Sequence, residues 1–131
     1  MAEKDPVSQK PLIDKLVVKP DMRVAVIAVD DPDFLQALAA RTAAVEPVPS
    51  PGVEMVFLGV EEPDHMLQLP ALKETIARDG AIWVVYRKGR KDFNENDVLR
   101  LGLESGMVDN KVVRFSDTHS ATRFVIRKHE R

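Results

Sequence analysis

The chain has 131 residues, 44% hydrophobic and 31% charged, a size and balance that suit one compact domain and exclude a disordered or membrane-embedded chain. Its formal charge of −2 and pI near 5.9 provide no global attraction to nucleic acid or anionic lipid, so nucleic-acid binding is not expected. The absence of cysteine excludes disulfides, thiolate catalysis and cysteine-held metals. The opening MAEKDPVSQKP is polar and holds Pro6 and Pro11, unlike a signal peptide. No apolar run approaches the roughly 20 residues that span a bilayer, so no membrane contact and a cytoplasmic location are expected.

Residues 1–10 are expected to form a loose tail. Residues 11–18, PLIDKLVV, place Leu12, Ile13, Leu16 and Val17 at helical spacing, which predicts a short helix or arm buried against the domain or a second subunit. Pro20 stops that helix. Residues 24–29 are a continuous apolar run, the pattern of a parallel strand covered on both faces. A helix follows over 31–44, with Asp31 as N-cap and Pro32 at its first position. Residues 45–48 predict a brief edge strand, since Pro47 cannot donate to a ladder. Residues 53–60, VEMVFLGV, form a second strong strand. After Glu61, Glu62, Pro63 and Asp64, a helical stretch broken by Pro70 runs over 71–78 to a stop at Asp79 and Gly80. Residues 81–86, AIWVVY, form the third strong strand. Beyond a basic loop over 87–92, Asn94 or Asn96 caps a helix that reaches Gly106. Residues 110–115 and 121–127 pair as a hairpin around the polar connection 116–120.

This alternation predicts an α/β, Rossmann-like three-layer sandwich: a mostly parallel sheet between helices, ending in an antiparallel hairpin. Residues 1–20 would be a tail or arm, and residues 21–131 a single domain. In nucleotide-binding folds of this kind, the turn after the first strand is rich in glycine, so that phosphate reaches backbone N–H groups. Here it is Asp30, Asp31, Pro32 and Asp33. Carboxylates repel a pyrophosphate, and Pro32 removes a donor.

The pattern resembles the core of a class I methyltransferase. Residues 72–85, LKETIARDGAIWVV, resemble that superfamily's fourth helix and fifth strand, and residues 102–128 its last helix and antiparallel hairpin. Residues 19–128 are similar to a small bacterial family of unknown function with a shortened methyltransferase-like Rossmann fold, through KPDMRVAVIAV, GAIWVVYRKG and GMVDNKVVRFSDTHSATRF. The resemblance implies a fold and no activity. Methyltransferases follow the first strand with an acidic-Gly-x-Gly turn and end the second on an acidic residue for the ribose of S-adenosylmethionine. This chain has DDPD and a proline-broken VEPV instead, so no catalytic residue and no cofactor is carried over.

Three loops are expected at the carboxyl edge of the sheet, where ligands bind in such folds. Asp30, Asp31, Glu61, Glu62 and Tyr86 are the candidate cleft residues. With Asp64 and His65, the acidic loops hold the donors of a divalent-cation site, but both precede helices, and capping is the preferred reading. Arg87, Lys88, Arg90 and Lys91, turning on Gly89, are the candidate anion site, with a solvated loop as the plainer reading. Asp117, His119 and Ser120 are the residue types of a hydrolase triad, but they crowd one turn, which favours turn chemistry. Trp83, Phe57 and Met55 are read as core.

These observations favour a non-catalytic binding or interaction domain, with a small ligand, another protein or a second copy of the chain as partner. The alternative is a divergent S-adenosylmethionine-dependent transferase-like enzyme with an atypical cofactor site.

Overall fold

The computed structural model describes residues 10–131, so all but Lys10 of the tail expected over 1–10 lies outside the described residues. In chain order the elements are α1 (Leu12–Lys15), β1 (Val24–Ile27), α2 (Pro32–Arg41), β2 (Val45–Glu46), β3 (Val53–Val60), a 3-10 turn (Pro63–Gln68), α3 (Leu69–Thr75), β4 (Ile76–Arg87), α4 (Glu95–Glu104), β5 (Met107–Arg114), β6 (His119–Ile126) and a final 3-10 turn (Lys128–Glu130). The strands form one six-stranded sheet in the order β2-β1-β3-β4-β6-β5. β2, β1, β3 and β4 are parallel, β6 runs antiparallel to β4, and β5, antiparallel to β6, points the same way as the parallel strands. The α/β architecture with a mostly parallel sheet and a C-terminal antiparallel hairpin is therefore as the sequence indicates.

Strand pleat divides the apolar side chains between two cores. On one face Val56, Leu58, Ile82, Val84 and Phe124 meet Leu69, Leu72 and Val98 from α3 and α4. On the other, Phe57, Trp83 and Val85 meet Phe34 and Leu38 of α2 and Ile13 and Leu16 of the arm. Each such side chain, fully removed from water, is worth about 1.5–3 kcal/mol. Phe34 stands edge-on to Phe57 with ring centroids 4.8 Å apart, and packs against Phe115 at 5.0 Å. Helix α4 lies close to β6 because Gly102 has no side chain: a Cβ there would fall 2.2 Å from the Phe124 ring.

The arm packs into this chain's own core. The indole of Trp83 donates to the carbonyl of Leu16 at 3.2 Å, and Arg41 donates to the carbonyl of Val18 at 2.7 Å. At the far edge of the sheet, a bulge between Asp109 and Lys111 and the charges of Asp109, Lys111 and Arg114 blunt β5 against strand pairing.

Several boundaries differ from expectation. β1 stops at Ile27, because Ala28 takes a left-handed conformation at φ 60°. α2 stops at Arg41, because Thr42 is extended and its hydroxyl donates to the carbonyl of Met22 at 2.8 Å. The largest difference is at residues 76–80, read as the end of a helix but built into β4. The carbonyl of Thr75 accepts from the N–H of Gly52, buried Ile76 pairs with Val53, and a bulge absorbs the following residues before Met55 meets Ala81. Burial of Ile76 at the sheet thus overrides the local helix-stop signal.

Candidate functional site

β1 is where the strand order reverses: the chain leaves it for β2 on one side and returns to β3 on the other. In open α/β sheets the crevice beyond the carboxyl ends at such a reversal is where ligands bind. A cleft of about 460 Å³ occupies that position. Its walls are the β1–α2 turn from Ala28 to Asp33, the end of β3 from Gly59 to Glu61, Val85 of β4, and Phe115, Thr118 and His119 of the last hairpin.

The β1–α2 turn is tight despite having no glycine. Ala28 supplies the left-handed residue, at a cost of about 1–2 kcal/mol, and the glycine needed lies opposite it on β3. A Cβ at Gly59 would stand 2.1 Å from the carbonyl oxygen of Ala28, so only glycine permits the two strand ends to approach. The helix start is closed to phosphate in a specific way. Pro32 has no N–H, and the carboxylate of Asp31 accepts from the N–H of Phe34 at 3.0 Å. Asp31 acts as the N-cap that its sequence position indicates.

Asp30, Asp31 and Glu61 line the cleft together with Asp33. The carboxylates of Asp30, Asp33 and Glu61 make no hydrogen bond or ion pair among the described residues. Glu62 is outside the lining and lies 3.8 Å from the Nε2 of His65, whose Nδ1 accepts the N–H of Glu61 at 2.9 Å. Among the described residues, no three or more acidic or histidine side chains are placed to hold a metal ion. Tyr86 does not reach the cleft. Its hydroxyl lies 3.0 Å from the Thr122 hydroxyl on the α4 face, and burial pushes its pKa up despite that hydrogen bond.

The basic loop divides in two. Arg90 is committed to structure: it donates to both carboxylate oxygens of Asp92 and to the carbonyl of Glu61, and stacks 5.8 Å from the centre of the Phe93 ring. The side chains of Arg87, Lys88 and Lys91 have no such partners among the described residues. The loop is pinned beside the cleft by the N–H of Lys88, which donates to the carbonyl of Thr118 at 2.9 Å.

Thr118 and His119 are the cleft residues that sequence reasoning passed over. Asp117 pairs with Arg114 at 2.7 Å, and Ser120 takes its place opposite Tyr86 in the ladder, which leaves His119 at the cleft. The ring Nδ1 of His119 lies 2.7 Å from the Thr118 hydroxyl. Burial, then the charge of Arg87, lowers its pKa, against the opposing pull of Asp31 and Glu61. The wall therefore combines carboxylates with an imidazole that favours its neutral form, an arrangement that receives hydrogen-bond donors and positive charge better than phosphate.

No family model matches the sequence, and no curated protein matches it. Solved structures match the fold. A SAM dependent methyltransferase from Aquifex aeolicus is 13% identical, with a TM-score of 0.69 over 88% of each chain. LepI in complex with SAM is 11% identical, with a TM-score of 0.58 over 96% of this chain and 50% of that one. The pyocyanin biosynthetic protein PhzM is 14% identical, with a TM-score of 0.59 over 83% of this chain and 51% of that one. The chain thus spans most of the Aquifex enzyme and about half of the other two. Its fold is a shortened, methyltransferase-like Rossmann fold. Among the described residues no helix is long and apolar enough to cross a membrane.

Proposed function

We propose that this chain is a non-catalytic Rossmann-like domain that acts by binding a small, phosphate-free ligand in the cleft beyond β1 and β3. The start of α2 carries this reading. Its first turn places a proline and a capping carboxylate at two of the positions where a nucleotide site offers free N–H groups. The acid of β2 is spent as well: Glu46 accepts from Arg23 at 2.9 Å and from Ser50 at 2.7 Å, at the opposite end of β1 from the cleft. A ribose would find the β2 carboxylate already paired. The β5 edge, with its bulge and charges, favours a small ligand over a second copy of the chain as the partner.

A second reading, a divergent S-adenosylmethionine-dependent enzyme, draws support from the neighbours, among them LepI in complex with SAM. It requires the cofactor to be held by contacts other than a glycine turn and a ribose carboxylate. Thermal unfolding in the presence of S-adenosylmethionine, S-adenosylhomocysteine, NAD and ATP separates the two. A ligand at a hundred times its Kd adds about 2.7 kcal/mol of stability. The first reading expects no shift with any of the four. A shift with both S-adenosyl compounds transfers the conclusion to the enzyme, and a shift with ATP or NAD overturns the electrostatic basis of both.

A further inference from the structure

Three separate elements bring ionisable groups to the one cleft: the β1–α2 turn brings Asp30 and Asp31, the end of β3 brings Glu61, and the start of β6 brings His119. His119 is partly buried and anchored on two sides, with its ring Nδ1 2.7 Å from the Thr118 hydroxyl and its backbone N–H donating to the Ser116 hydroxyl at 3.1 Å. The charges that act on its ring are Arg87 and Lys88 at the end of β4 and Asp31 and Glu61 across the cleft. Burial favours the neutral ring, so the carboxylates of Asp30 and Glu61 face a cavity whose lining includes no lysine or arginine. A concave site lined by one sign of charge concentrates its field on whatever enters.

We propose that the cleft binds a small organic cation, an amine without phosphate, and that His119 sets the condition for its admission. With the ring neutral, the imidazole offers the ligand a hydrogen bond while Asp30, Asp31 and Glu61 meet its charge. With the ring protonated, Asp31 and Glu61 are compensated from within the protein and the ligand's charge is opposed. This rests on the ligand-binding reading of the cleft and specifies its chemistry. Linkage fixes the sign: a cation beside His119 favours the neutral ring, so occupancy lowers its pKa and acid weakens binding, whereas a bound anion does the reverse.

The test is an NMR titration of the histidine rings and backbone amides of the full chain with putrescine, and in separate arms with acetate and inorganic phosphate. Putrescine is expected to perturb His119 and the amides of Asp30 and Gly59, to move the His119 titration to lower pH, and to bind about tenfold more weakly for each unit of that displacement once the ring is protonated. His119→Gln is expected to keep putrescine binding at pH 8 and to lose the acid dependence over the histidine range. Asp30→Asn combined with Glu61→Gln is expected to abolish binding. Putrescine binding with unchanged acid dependence in His119→Gln overturns the role of His119. Acetate raising the His119 titration, with putrescine inert, overturns the cation class and leaves the cleft reading standing, whereas phosphate doing so overturns the phosphate-free reading as well. Silence of His119 and of both amides in all three arms overturns the proposal and the cleft reading together.

Discussion

The two ends of the sheet treat charge in opposite ways. At the amino end of the parallel strands, polar groups are paired off. Arg23 donates to Glu46, to Ser50 and to the carbonyl of Pro51, while its own N–H donates to Glu54 at 2.9 Å. Nearby, Lys73 donates to the carboxylate of Glu130 at 2.7 Å, and Arg78 to the backbone carbonyl of Glu130 at 2.6 Å. At the carboxyl end, Asp30, Glu61, Arg87 and Lys88 have side chains with no such partner among the described residues. Left-handed non-glycine residues occur on both sides of β1, at Val17 before it and Ala28 after it, so it is the pairing of charge that separates the two ends. One end is arranged to hold the fold together. The other keeps charge that folding does not use, as expected of a surface held for something else.

Substitutions at the two ends should therefore behave differently. The largest effect expected is at the junction of β1 and β3: Gly59→Ala should cost about 3 kcal/mol in denaturant unfolding, because the colliding atom is a backbone carbonyl that cannot move aside. Next is Arg23→Ala, which removes several hydrogen bonds to one half-exposed side chain and should cost about 1–2 kcal/mol. Acid should attack this same end. Hydrogen bonds from Ser50 and then Arg23 hold the carboxyl of Glu46 below the usual range, and a hydrogen bond from Lys73 does the same for Glu130. A carboxylate with a depressed folded pKa stabilises the protein above its unfolded pKa and loses that contribution as the pH falls through the folded value. Stability should thus decline below the ordinary carboxylate range, and the decline should be shallower in Glu46→Gln.

At the carboxyl end, the close contact at Gly59 aside, the sign changes. Ala28→Gly should raise stability by about 0.5–1 kcal/mol, since relief of the left-handed alanine exceeds the extra freedom glycine gives the unfolded chain. The smallest effects are expected at Asp30→Asn and Glu61→Gln, within about 0.5 kcal/mol of the parent in thermal unfolding. A loss at these two positions as large as at Arg23 would show that both ends serve stability alike.

Much of this arrangement was legible in the sequence, for identifiable reasons. VAVI, VEMVFLGV and AIWVVY are apolar enough to demand burial on two faces, and Asp31 and Asn94 sit where local capping chemistry alone decides. Residues 76–80 were not legible, because a bulged pairing with β3 outweighs their helix-stop signal. The position of Tyr86 follows from pleat parity: it shares the face of Ile82 and Val84, which pack toward α3 and α4, while Trp83 and Val85 take the other. His119 depends on long-range register. Only the pairing of Arg87 with His119 across β4 and β6 brings the last hairpin to the end of β1, and no local pattern encodes that match. Composition could supply the acidic wall of the cleft but not the imidazole on it.

The most direct measurement is amide chemical-shift mapping of the intact chain against a panel of phosphate-free small molecules beside ATP and NAD. The expected result is that perturbations from phosphate-free compounds fall on Ala28 to Asp33, Gly59 to Glu61, and Thr118 and His119, with ATP and NAD silent at those positions. Saturable shifts from ATP or NAD at Asp31 and Phe34 would contradict it, because phosphate would then be using the helix start that Asp31 and Pro32 are held to close.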